Sequence, residues 1–200
     1  MNDCISNKSI ILASKSPRRK ELLSRIVDDF IAVEPTAKES LPCKMEAADA
    51  VKFLASIKAR SIAEKYSGII IGADTLVVLN DDFLGKPINH KNAEEILNKL
   101  SGKVHQVYTG VCVIDTAKNV ELCEFECTDV YFDTISSIDI QRYIMSEEPM
   151  DKAGAYAIQG QGGKFIKKIN GCYYNVVGLP LNLLSKMLKK IELGGQYELI

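Results

Sequence analysis

Two rhythms of apolar residues alternate along this chain. Short hydrophobic runs bounded by Gly, Pro, Asn and Asp predict strands, and apolar positions spaced three and four apart predict helices. Residues 9–13, SIILA, read as a short buried strand, and Pro17 suits the first turn of a helix capped by Ser16. Residues 29–35, DFIAVEP, read as a second strand, and Pro35 and Pro42 bracket a loop before a helix within 45–66. Residues 68–87 give two hydrophobic half-strands interrupted by Gly-Ala-Asp-Thr and closed by a loop. A helix within 89–102 ends at Gly102, and residues 105–116 and 120–132 predict an antiparallel pair around the turn AKN. A helix within 136–146 is capped by Ser136 or Ser137. Residues 151–180 are glycine-rich, then strand, then turn, and a last helix within 179–191 precedes a short polar tail. No internal repeat or flexible tether interrupts the pattern.

Length and charge narrow the classes. A chain of 200 residues can bury a sizeable core as one domain or two tightly joined lobes. With 25 Lys and Arg against 26 Asp and Glu, the net charge of -1 offers no global field for a long polyanion, so anion binding is expected to be local and nucleic acid is not an expected partner. No apolar run approaches the roughly 20 residues that span a bilayer, and the first ten residues lack a signal-peptide core. The expectation is a soluble, cytoplasmic protein without a membrane partner; a homodimer is compatible with the sequence. Six cysteines, Cys4, Cys43, Cys112, Cys123, Cys127 and Cys172, form no C-x-x-C pair and read as small buried or half-buried hydrophobes. Two histidines, His90 and His105, exclude a histidine-rich metal site.

Three stretches carry chemistry. In SKSPRR, Ser14, Ser16, Arg18 and Arg19 sit at a helix start, where unpaired N–H groups, the helix dipole and bidentate guanidinium donors favour phosphate. The bland alternative is a solvated helix start whose arginines pair with Glu21 or Asp28. In GADT, Asp74 lies between apolar half-strands, where an unpaired carboxylate is costly. A divalent cation, a catalytic water, Lys86 of GKP or Lys58 of IKAR would compensate it, and a structural ion pair is the alternative. In residues 147–163, Glu147, Glu148, Asp151 and Lys152 accompany a glycine-rich loop with Gln159. Carboxylates without histidine suit a hard cation such as Mg²⁺, and the Gln159 amide can read a base edge; a locally bonded turn is the alternative.

Six ordered motifs, S-x-S-P-R-R, G-A-D-T-x-V, G-K-P, T-G-V, D-K-A-G-A-Y-x-I-Q-G and N-V-V-G-L-P, make nearly the whole chain resemble the Maf family of nucleoside triphosphate pyrophosphatases. The resemblance implies a single domain over 1–200 with an α/β fold: a mixed twisted sheet with flanking helices, two lobes around a central cleft, similar to inosine triphosphatase. GADT resembles the branch acting on dTTP and UTP, with Thr75 discriminating it from the branch that prefers 7-methyl-GTP. Arg18, Thr75 and Gln159 match positions for base selection, and Asp74 matches the proton acceptor. Arg19, Lys58, Lys86 and Lys152 match positions near the phosphates, and Glu39 and Asp151, with Asp74, match carboxylates on the metal side. The implied cofactor is Mg²⁺ or Mn²⁺, and the implied reaction is attack of water on the α-phosphorus, releasing pyrophosphate. Lys15, where a small residue is common, and RIVDDF, which lacks the usual glycine, are departures. A non-catalytic nucleotide-sensing regulator of division or septum formation is the alternative function.

Overall fold

The structure, a computed structural model, describes residues 9–193; Cys4 and the polar tail lie outside the described residues. Among the described residues seven strands form one sheet in the order β2-β1-β3-β5-β6-β7, with β4 paired to β3. The strands are β1 Ile10–Ala13, β2 Ile31–Val33, β3 Ile69–Leu79, β4 Asp82–Leu84, β5 Val104–Asp115, β6 Val120–Phe132 and β7 Ile166–Asn170. Helices α1 Pro17–Leu23, α2 Ala47–Ala63, α3 His90–Leu100, α4 Ser137–Ile144, α5 Tyr173–Val177 and α6 Leu181–Glu192 accompany them. β1 runs parallel to β2 and β3, whereas β4 and β7 run antiparallel to β3 and β6, so the sheet is mixed.

Three expectations are corrected. GADT does not interrupt a strand: β3 runs unbroken from Ile69 to Leu79. The buried carboxylate is tolerated there because a lysine from α2 meets it, a partner distant in sequence. The loop expected after β3 is instead a hairpin to β4, turned by Asn80 and Asp81, whose φ of 50° and 67° are the left-handed values a tight type I′ turn requires. YYNVV, read as turn, is the short helix α5. Ser136 is the cap of α4, accepting from the Asp139 N–H, and Ser16 caps α1.

The chain divides into two compact units. In the first, residues up to 74, 109–126 and from 178, α2 lies against β3 and β5. Two motif glycines make that approach possible: a Cβ on Gly72 would stand 2.3 Å from the Ala55 carbonyl oxygen, and one on Gly110 would stand 2.2 Å from that of Val51. Ile11, Ala55, Ala59, Ile62 and Ile70 close a core at this contact, with Cys112 and Ile114 in it.

The second unit, residues 75–108 and 127–177, is built around Leu97, Leu100, Phe132, Tyr143, Tyr156 and Phe165. His105 is buried within it, edge-on to Phe132 and Tyr156, with Nε2 2.8 Å from the Tyr156 hydroxyl. Burial lowers its pKa from 6.5 to about 4. Between those values the unfolded chain is protonated at this position and the folded chain is not. The stability this site contributes is therefore complete above pH 6.5 and lost as pH falls toward 4. At about 1.4 kcal/mol per pH unit, roughly 2 kcal/mol should be gone at pH 5. Urea midpoints at pH 7 and pH 5 should show that difference shrinking in His105→Gln; an unchanged difference would contradict the assignment.

Candidate active site

The first unit assembles a compact charged site. α2, seated by Gly72 and Gly110, carries Lys58 to β3, where its ammonium lies 2.5 Å from Asp74 Oδ1 and 3.0 Å from Glu39 Oε2. Lys58 and Asp74 are buried, 5% and 7% exposed, while the Glu39 side chain is open to solvent. Of the two lysines weighed for Asp74, Lys58 meets it directly. Strand alternation turns Asp74 to the same face as Gly72, toward α2, and Thr75 to the other.

Arg19 is held to the same region. Its Nε donates to the Gly178 carbonyl at 2.9 Å, so GLP of the last motif anchors an arginine of the first. Burial lowers the pKa of the guanidinium, the Asp74 carboxylate opposes that, Arg18 adds to it and Glu39 opposes it. Those interactions place Arg19 within electrostatic reach of both carboxylates. Glu21 pairs with Arg25 at 2.8 Å. Ser16 Oγ accepts from the Arg19 N–H at 3.5 Å, and Ser14 Oγ accepts from the Ser16 N–H at 3.1 Å, so both hydroxyls shape the turn itself. Lys15 adds no surplus charge, since it pairs with Glu34 at 2.9 Å.

In the second unit the acidic loop resolves into separate tasks. Burial raises the pKa of Glu148, but the Gln161 N–H, the Tyr143 hydroxyl, the Gly162 N–H and Lys152 lower it, and the net shift is downward. Those bonds, 2.9 Å, 2.8 Å and 3.2 Å for the first three, make Glu148 the organiser of the glycine-rich loop. Gly160 passes so close that a Cβ there would meet the Glu148 carboxylate at 2.3 Å, and the exposed Gln159 precedes it. Glu147 instead pairs with His90 at 2.7 Å. Asp151 pairs with Lys152, whose ammonium also donates to the Glu148 carbonyl at 3.4 Å. Lys86 is exposed on the loop after β4, and the Gly85 carbonyl accepts from the Gly154 N–H at 3.1 Å, tying GKP to DKAGAY. Asn175 straps β5 to β6, donating to the Val107 carbonyl at 2.8 Å and to Thr128 Oγ1 at 2.9 Å.

Glu147, Glu148 and Asp151 thus do not form one cation-binding cluster, contrary to the expectation from their spacing; each has a different partner. Among the described residues the one group of three close ligand-type side chains is Cys112, Glu121 and Cys123. The two cysteines stand eleven positions apart and meet through the pairing of β5 with β6, so the antiparallel pair expected around AKN was the signal that could have found them. Glu39 and Asp74 supply carboxylate oxygens of the kind a hard divalent cation takes, and both converge on the Lys58 ammonium.

The fold is that of an α/β protein, and the site sets a buried lysine between two carboxylates. The likeness to solved structures shows the same fold. The Staphylococcus aureus Ham1 protein superposes with a TM-score of 0.53 at 14% identity, covering 92% of this chain and 100% of that one. A HAM1 protein from Coxiella burnetii gives 0.51 at 16%, with the same coverage. The chain belongs to the Maf family: the description "Maf-like protein" matches residues 9–191. It is 50% identical over 192 residues to a dTTP/UTP pyrophosphatase of Clostridium botulinum (strain 657 / Type Ba4), covering 94% of this chain and 98% of that one. It is 44% identical to a dTTP/UTP pyrophosphatase of Clostridium perfringens (strain SM101 / Type A), with 92% and 97% covered. No helix among the described residues is long and apolar enough to cross a membrane.

Proposed function

We propose that this protein hydrolyses nucleoside triphosphates, dTTP and UTP in preference, to the monophosphate and pyrophosphate. The observation that carries the reading is the buried Lys58 shared by Asp74 and Glu39 within reach of Arg19, which sets a proton acceptor beside guanidinium and ammonium groups. Water attacks the α-phosphorus, the bond to the oxygen bridging the α- and β-phosphates breaks, and Asp74 takes the proton from water. The Lys58 ammonium and the Arg19 guanidinium beside the Asp74 and Glu39 carboxylates are groups that favour an incoming phosphate chain. Catalysis of this kind consists of positioning and neutralising charge. Mg²⁺ or Mn²⁺, held by Glu39 and Asp74, would add Lewis-acid polarisation of phosphate oxygens. The remaining roles follow the resemblance alone: Arg18, Thr75 and Gln159 for the base, Lys86 and Lys152 for phosphate, Asp151 for the cation.

A pocket that hydrogen-bonds one base edge rejects bases lacking it by roughly 10⁴-fold, because its polar groups are left unpaired. Pyrophosphate release from UTP, dTTP, CTP, GTP and 7-methyl-GTP, with and without each metal, should therefore be confined to UTP and dTTP with metal present. Equal rates on GTP or 7-methyl-GTP would overturn the specificity. Silence on every substrate despite tight nucleotide binding would favour the regulator.

A further inference from the structure

Cys112 on β5 and Cys123 on β6 occupy directly opposite positions, since counting back equally from Asp115 and forward from Val120 across the turn reaches both. Their sulfurs lie 2.7 Å apart, closer than unbonded sulfur atoms normally approach and longer than the roughly 2.05 Å of a disulfide. Both are free thiols. Glu121 Oε1 accepts from each at 3.5 Å, and its other oxygen is held 2.9 Å from Arg60 Nε, so the carboxylate is fixed against the pair. Cys112 is fully buried, whereas Cys123 is half-buried and packs on the rim of the same apolar cluster. Nothing in the proposed hydrolysis uses these groups.

We propose that Cys112 and Cys123 form a reversible dithiol–disulfide pair that is oxidised by small-molecule disulfides, with Cys123 as the thiol that reacts first and Cys112 as the one that resolves it. Cys123 loses its proton to solvent and attacks one sulfur of the small disulfide; a mixed disulfide forms and one small thiolate leaves. Cys112, deprotonated in turn, attacks Cys123 Sγ, forming the cross-strand disulfide and expelling the second small thiolate. The two cysteines are oxidised by two electrons, the small disulfide is reduced to two thiols, and a reducing thiol in excess runs the sequence backwards. The Cys123 sulfur beside it, burial and the Glu121 anion all hold the Cys112 thiol protonated, which makes the resolving step slow in the resting pair.

The test is incubation of the native protein with oxidised glutathione, followed by intact mass and peptide mapping. The expected result is loss of two hydrogens and a linked peptide pair containing Cys112 and Cys123, reversed by dithiothreitol. Cys112→Ser should stall with one glutathione on Cys123, and Glu121→Gln should oxidise faster. Cys43→Ser, which alters an exposed cysteine elsewhere, should behave as the wild type. Persistence of Cys112 and Cys123 as free thiols in folded protein, with or without bound Zn²⁺, would overturn the proposal, as would a link mapped to any other pair.

Discussion

Asp74→Asn is expected to lower kcat by about 10³-fold, within the range that removing a positioned general base costs. The amide keeps an oxygen for the Lys58 ammonium and nearly the same volume, so β3 and its contact with α2 should persist. What it lacks is the capacity to take a proton from water or to supply an anionic oxygen to a cation. Pyrophosphate release should collapse while circular dichroism and nucleotide binding change little. A folded variant that turns over near the wild-type rate would remove Asp74 from the reaction altogether.

Lys58→Met should cost about 3–5 kcal/mol of stability, the usual consequence of removing one partner from a buried ion pair. The substitution preserves the aliphatic stem but leaves Asp74, 7% exposed, charged and without its ammonium. Glu39 contributes little to this figure because its side chain is 56% exposed and solvent screens it. Urea denaturation would show the loss as a lower midpoint, and activity should fall with it. Lys58→Met combined with Asp74→Leu should recover most of the stability, since two apolar side chains replace the pair, and none of the activity. That split separates the energetic role of the pair from its chemical one. A single variant within 1 kcal/mol of wild type, by this order-of-magnitude scale, would mean that water compensates Asp74 instead.

Apolar periodicity foreshadowed most elements because their burial is local in pattern: α2 and α6 each present one buried stripe, and β1 is buried at every position. β3 was misread at GADT for the opposite reason. Whether a carboxylate can sit inside a strand depends on what reaches it, and the residue that does so belongs to a helix sixteen positions earlier. Lys58 and Lys86 were equivalent candidates in the sequence; only the seating of α2 by Gly72 and Gly110 distinguishes them. Glu148 illustrates a second limit. Its chemistry is that of a cation ligand, but its oxygens are already occupied by Tyr143, Gln161 and Gly162. The motif N-V-V-G-L-P likewise gave no hint that Asn175 would strap two strands while Gly178 held Arg19.

Neither compact unit is a continuous stretch of chain. The first begins with β1 yet depends on α6, whose Leu184, Met187, Leu188 and Ile191 are buried, and on Gly178 to hold Arg19. During synthesis, then, the Asp74 site cannot be completed when its own strand emerges. The second unit, complete once Val177 has appeared, has every residue it needs before the first does. An early fragment ending after β3 would carry Lys58, Asp74 and Glu39 without α6 or Gly178, so the charged site can mature only after every residue of the second unit has been made.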